Sequence, residues 1–145
     1  MSGGYVFDTE AIIAFLYNEP GHEAVAELLD EVFAGDTDGF LTETNASEVF
    51  YLVARFEGID DVPTDASLRE ADRDIRTLER QGLELEAADW RLAAAVKADG
   101  SISLADTYAV ALARQRDATL VAGADDDFDD LPIEVDLYRF RDHGV

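Results

Sequence analysis

Cysteine is absent from this chain, which excludes a disulfide framework and any thiolate metal site. No apolar run approaches the roughly 20 residues that a membrane span requires. The N-terminus also lacks the basic-then-apolar layout of a signal peptide. These absences describe a soluble, cytoplasmic protein with no membrane association. Histidine is scarce: His22 and His143 are the only two, so no obvious imidazole base is on offer. Lysine is scarcer still, with Lys97 alone beside ten arginines. Internal repeats and low-complexity linkers are missing as well.

What is abundant is negative charge. Asp and Glu number 33 against 11 Lys and Arg, for a net charge of −22 and a pI near 4.1. Such acidity ordinarily disfavours nucleic acids, whose phosphates are bound largely by Lys and Arg. Yet an acid-rich, lysine-poor chain that keeps a normal core resembles proteins of salt-accumulating haloarchaea. In molar salt the Debye length is roughly 3 Å, so global repulsion toward RNA is almost fully screened. The charge therefore reports the solvent and does not veto an RNA function. With 48% hydrophobic and 10% aromatic residues in 145, the chain can bury a real core, and residues 1–145 read as one domain.

Along the chain, apolar and polar stretches alternate between strand and helix patterns. "GGYVFD" is a short strand ending in Asp8, followed by a helix in "AIIAFLYN" that stops near "NEPG". "GHEAVAELLDEVF" is helical, with Val25, Leu28, Leu29 and Val32 on one face. "GFLT" is a second strand, and "NASEVFYLVARF" a helix ending at Gly58. After the loop "IDDVPTD" a helix spans Asp65 to Arg80, with Leu68, Ala71, Ile75 and Leu78 as its buried stripe. "GLELEA" is a short strand and "ADWRLAAAVKADG" a helix stopped by Gly100. Leu104 to Ala113 is apolar on nearly every side, the mark of a helix buried all round. The strand "ATLVAG", the acidic turn "ADDDFDDL" and a last strand around "IEVDLY" complete the chain. This alternation predicts a parallel sheet covered by helices, an α/β fold.

Four acids fall at telling places on that map. Asp8 ends the first strand, Glu48 lies in the first turn after the second, Asp106 opens the Leu104 helix, and Asp125 follows "TLVAG". In open α/β sheets ligands bind outside the carboxyl ends of the strands. Each acid also has a local role available. Asp8 can cap the helix that follows, Glu48 can complete a capping box with Asn45, Ser103-x-x-Asp106 resembles a capping box, and Asp125 can sit in an ordinary acidic loop. Glu48 and Asp106, however, are lone acids in apolar surroundings, and no lysine is near to neutralise the set. A hard divalent cation, Mg²⁺ or Mn²⁺, is the natural counter-charge for oxygen ligands.

The segments "YVFDTEAIIAFL", "TNASEVFYL", "SLADTYAVALA" and "TLVAGADDDF", in this order, resemble the PIN domain and, more narrowly, the VapC-type toxins. The likeness covers essentially the whole chain. It implies a short parallel sheet flanked by α-helices and divalent-metal-dependent cleavage of RNA. It places Asp8, Glu48, Asp106 and Asp125 on the family's acidic quartet, Thr9 on its usual hydroxyl position and Asn45 on a frequent polar neighbour. The family commonly has Gly-Asp in its last motif, whereas Ala124 intervenes here, so Asp126 or Asp127 can stand in for Asp125. The likeness further implies RNA as substrate, a cognate antitoxin as partner, and a homodimer.

Other readings start from other residues. A PIN nuclease of RNA maturation or a non-catalytic PIN-like module would use the same fold. "VFDTE" resembles the opening of haloacid-dehalogenase-like phosphatases, which need an acid two residues on, imitated by Glu10, and a lysine, for which only Lys97 is available. "DDDFDD" lacks the D-x-D-x-D-G spacing of a calcium loop. Arg69, Arg73, Arg76 and Arg80 form a helical stripe that either contacts RNA or pairs with Glu70, Asp72, Asp74 and Glu79. His22 and Trp90 are read as packing or surface residues.

Overall fold

A computed structural model describes residues 3–123 and 128–141. Its sheet contains β1 (Tyr5–Phe7), β2 (Gly39–Thr42), β3 (Glu84–Glu86), β4 (Thr119–Ala122) and β5 (Leu137–Arg139). They lie in the order β3-β2-β1-β4-β5, and every neighbouring pair is parallel. The chain adds β2 and β3 on one side of β1, then crosses to the other side for β4 and β5. The direction of winding therefore reverses between β1 and β4.

Two helices, not one, separate each of the first strands. α1 (Thr9–Tyr17) and α2 (His22–Phe33) lead to β2; α3 (Glu43–Phe56) and α4 (Asp65–Gln81) lead to β3; α5 (Trp90–Asp99) and α6 (Leu104–Arg116) lead to β4. Successive strand residues point to opposite faces, and here each face has its own core. Phe7, Leu41 and Val121 pack with α1 to α4, while Val6, Phe40, Leu120 and Ala122 pack with α5 and α6. Burial on both faces explains why the inner strands β1, β2 and β4 are nearly all apolar, whereas the edge strands β3 and β5 carry Glu84, Glu86 and Arg139.

The helix starts follow local chemistry. Asp8, Thr42, Thr64, Asp89 and Ser103 each cap a helix with a side-chain oxygen, a contribution of about 1 kcal/mol apiece. Thr64 and Ser67 form a reciprocal capping box. That pair draws Ser67 inside and leaves Leu68 40% exposed, so the expected α4 stripe keeps Ala71, Ile75 and Leu78 but not Leu68. α3 begins at Glu43 rather than Asn45 because Thr42 is the capping residue and accepts the Asn45 N–H at 2.9 Å. Glu48 consequently sits in the second turn, and no capping box with Asn45 forms. α6 is not buried all round: Thr107 and Ala109 to Ala113 are, but Leu104 is 55% exposed and Asp106 half-buried. The final strand is confined to Leu137–Arg139. Among the described residues no helix is long and apolar enough to cross a membrane.

Candidate active site

Asp8 leaves β1 at the point where the winding of the sheet reverses. Its backbone N–H still bonds Val121 of β4 at 3.1 Å, and its Oδ1 accepts the Ala11 N–H at 2.7 Å, capping α1. The local role and the site role thus fall on one carboxylate. The side chain is almost wholly buried, and that burial pushes its pKa well above the ordinary carboxylate range. The nearby charges of Asp106 and Glu10 push the same way, while the backbone N–H groups of Ala11 and Gly123 oppose them.

Asp8 opens onto a cleft of about 260 Å³ lined by Thr9, Glu10, Ile13, Glu48, Leu52, Ser103, Asp106 and Phe128. Three acids from distant parts of the chain therefore share one concavity, at the carboxyl edge of the sheet. Asp106 stands in the first turn of α6, its N–H held by Ser103 Oγ at 3.3 Å. Glu48 reaches the cleft from α3 with an exposed side chain, so its surroundings are less apolar than the sequence around it. Asp125 and Asp127, with Ala124 and Asp126, lie outside the described residues.

A buried hydrogen-bond hub holds these helix starts together. Asn45, fully buried, donates from Nδ2 to Thr9 Oγ1 at 3.0 Å and to the Ala105 carbonyl at 3.4 Å. Its Oδ1 accepts the Thr42 hydroxyl at 2.5 Å. One amide so ties α1, α3 and α6, the helices that carry Asp8, Glu48 and Asp106. Their amino-terminal dipoles favour negative charge there.

The match of the PIN domain family to residues 5–134 covers most of the chain. The chain belongs to the PIN-domain family. Among solved structures it is similar to VapC20 of Mycobacterium tuberculosis, a Sarcin-Ricin loop cleaving toxin, with a TM-score of 0.57 and 13% identity. That similarity covers 81% of this chain and 87% of the other, and at this identity it speaks for the fold. No curated protein matches the chain in sequence.

Within this PIN domain the cleft includes one acid that the sequence argument used only for a rival. Glu10 lines the cleft beside Asp8, and Arg141 Nη1 donates to its Oε1 at 2.7 Å across 131 residues of chain. Spacing from Asp8 hinted at Glu10; nothing in the linear sequence pointed to Arg141. The phosphatase reading fares badly, because Lys97 donates to the Ile102 carbonyl at 2.8 Å and does not line the cleft. Arg69, Arg73, Arg76 and Arg80 border a separate groove on α4, where Arg76 pairs with Asp72 at 2.8 Å. His22 lies 3.2 Å from Glu23 and Trp90 is 60% exposed, both away from the cleft.

The donor set suits a hard cation, since every titratable group in the cleft is a carboxylate. Among the described residues no group of three such side chains is close enough together to hold an ion. Asp106 is nevertheless near enough to disfavour the charge of Asp8, and a divalent ion would reverse that penalty.

Proposed function

We propose that this PIN domain is a divalent-metal-dependent endoribonuclease, the toxin of a VapBC-type pair, acting through Asp8, Glu48 and Asp106. The observation that carries the reading is the meeting of these three carboxylates in one cleft, with Asp8 buried among like charges. The similarity in fold to a toxin that cleaves the Sarcin-Ricin loop supports RNA as the substrate class. The partners on this reading are RNA, a cognate antitoxin and a second copy of the chain.

Bound Mg²⁺ or Mn²⁺ would supply a water of lowered pKa and a counter-charge for the phosphoryl oxygens. The chain's own residues do the positioning. Asp8 is immobilised by its cap and by burial, so its carboxylate is a fixed ligand. Asp106 is held at the start of α6 by Ser103, and Glu48 closes the exposed lip from α3. Thr9 and Asn45 set the distance between these helices, and Asp125 or Asp127 completes the set. Ile13, Leu52 and Phe128 form an apolar wall that limits water. The stripe from Arg69 to Arg80 borders a separate groove and either contacts RNA or pairs with its acidic neighbours, as Arg76 does with Asp72.

The test is cleavage of a structured RNA pool in molar KCl, with Mn²⁺, with Mg²⁺ and with EDTA, beside Asp106→Asn. Cuts that need metal and vanish in the variant are expected. Cleavage that persists in EDTA or in Asp106→Asn would remove the assignment, and no cleavage under any metal would leave a binding module.

A further inference from the structure

Glu10, on the rim of the cleft, has a cationic partner. Arg141 Nη1 donates to Glu10 Oε1 at 2.7 Å, while its Nε donates to the Pro20 carbonyl at 2.8 Å. Glu19 stands 3.8 Å from Nη2 on the far side. The guanidinium is thus seated between the start of α1 and the turn before α2, with its side chain 20% exposed. Two of its three polar contacts, to Pro20 and Glu19, lie outside the cleft lining.

The Glu10 carboxylate in turn lies over Gly123. A Cβ at residue 123 would collide with that carboxylate, so the glycine at the end of β4 leaves room for it. Gly123 is itself pinned, because Arg139 Nη1 donates to its carbonyl at 2.9 Å. The same peptide segment provides the N–H that favours the charged form of Asp8. Two arginines from the end of the chain therefore brace the rim next to the buried aspartate.

We propose that Arg141 is a positioning residue for the acidic cleft, pairing with Glu10 above Gly123 and so withholding that carboxylate from a divalent ion bound beside Asp8. This inference rests on the reading of the cleft as a metal centre. Exposed ion pairs contribute little to stability, but here the pair sets how much negative charge the cleft presents. Without Arg141, Glu10 would be free to turn toward Asp8 and add its carboxylate to those that would hold the ion. Binding becomes tighter and turnover slower. Without Glu10, the Arg141 charge beside the cleft is offset by Glu19 alone, and the ion is bound more weakly.

The opposite signs are the signature. Mn²⁺ affinity is measured by electron paramagnetic resonance of the free ion, on the full chain at one neutral pH in molar KCl. The rate of RNA cleavage is recorded in parallel. Outer-shell changes shift metal affinity by about tenfold or more. A fall of that order in Mn²⁺ Kd is expected for Arg141→Gln, together with slower cleavage at saturating metal. Glu10→Gln raises Kd, the double variant returns near wild type, and Arg141→Lys restores most of the wild-type behaviour. A merely structural pair would shift both single variants in the same direction. That result, or changes smaller than about twofold where tenfold is expected, overturns the proposal while the metal centre stands. A wild type that binds no Mn²⁺ overturns both. If Arg141→Gln does not fold, Glu10→Gln decides alone: an unchanged or lower Kd refutes the pairing role.

Discussion

Replacing Asp8 by Asn separates the carboxylate's charge from its capping role. Asn caps a helix about as well as Asp, so the bond to the Ala11 N–H survives the change. What disappears is a buried charge beside Asp106 and Glu10. Desolvating an ion costs several kcal/mol, and each of the two N–H bonds to it returns about 1.5–3 kcal/mol. With the like charges of Asp106 and Glu10 added, the charged form is destabilising on balance. For a chain of this length 1 kcal/mol moves Tm by about 3 °C. In EDTA at neutral pH, Asp8→Asn should therefore melt above wild type, by a few °C. Divalent metal reverses the order, because an ion at 100 times its Kd stabilises the folded state by about 2.7 kcal/mol. Wild type gains about 8 °C from that binding, and Asp8→Asn little or none. Thermal melts followed by circular dichroism, with EDTA and with Mn²⁺, read both differences. A variant that melts below wild type in EDTA, yet keeps the full Mn²⁺ shift, would refute the reasoning.

The same residue predicts a pH dependence. Its folded pKa is raised by burial first, then by Asp106 and Glu10. The protonated form's stabilising contribution is complete below the unfolded Asp pKa of about 3.9. It is lost as pH rises through the folded value. In EDTA the gap in Tm between Asp8→Asn and wild type should therefore open as pH rises toward neutral and close near about pH 4. Asp106→Asn should abolish RNA cleavage while leaving far-UV circular dichroism unchanged; residual activity above a tenth of wild type counts against its role. Asn45→Ala removes the hub joining Thr9, Thr42 and Ala105 and should cost about 2–4 kcal/mol in urea unfolding. A loss under about 1 kcal/mol would mean that water replaces the amide. Reversing Arg69 and Arg73 to Glu should weaken RNA binding by Asp106→Asn and lower its salt slope by about 2. Unchanged affinity would reduce the stripe to surface pairing of the kind Arg76 makes with Asp72.

Much of the fold was legible because its signals are local. The α2 face of Val25, Leu28, Leu29 and Val32 is buried as its spacing predicts. The short apolar runs around Val6, Leu41 and Val121 form the parallel sheet. Errors arose where capping chemistry competed with periodicity. Thr42 took the cap that Asn45 was expected to hold, and Ser67 took the buried place assigned to Leu68.

For the site, position along the sequence singled out Asp8, Glu48, Asp106 and Asp125 as acids at strand ends and helix starts, while Thr9 and Asn45 came from the likeness to the PIN domain. The sequence equally left carboxylates as the abundant candidates for chemistry, since no cysteine and only two histidines are available. Only the tertiary structure decided which of the 33 acids share a cleft. It brought Glu10 in and set Arg141 against it across 131 residues. It also made Asn45 the tie between three helices. Contacts of that kind depend on where the sheet reverses its winding and how the helices pack, and no local spacing encodes a distance in space.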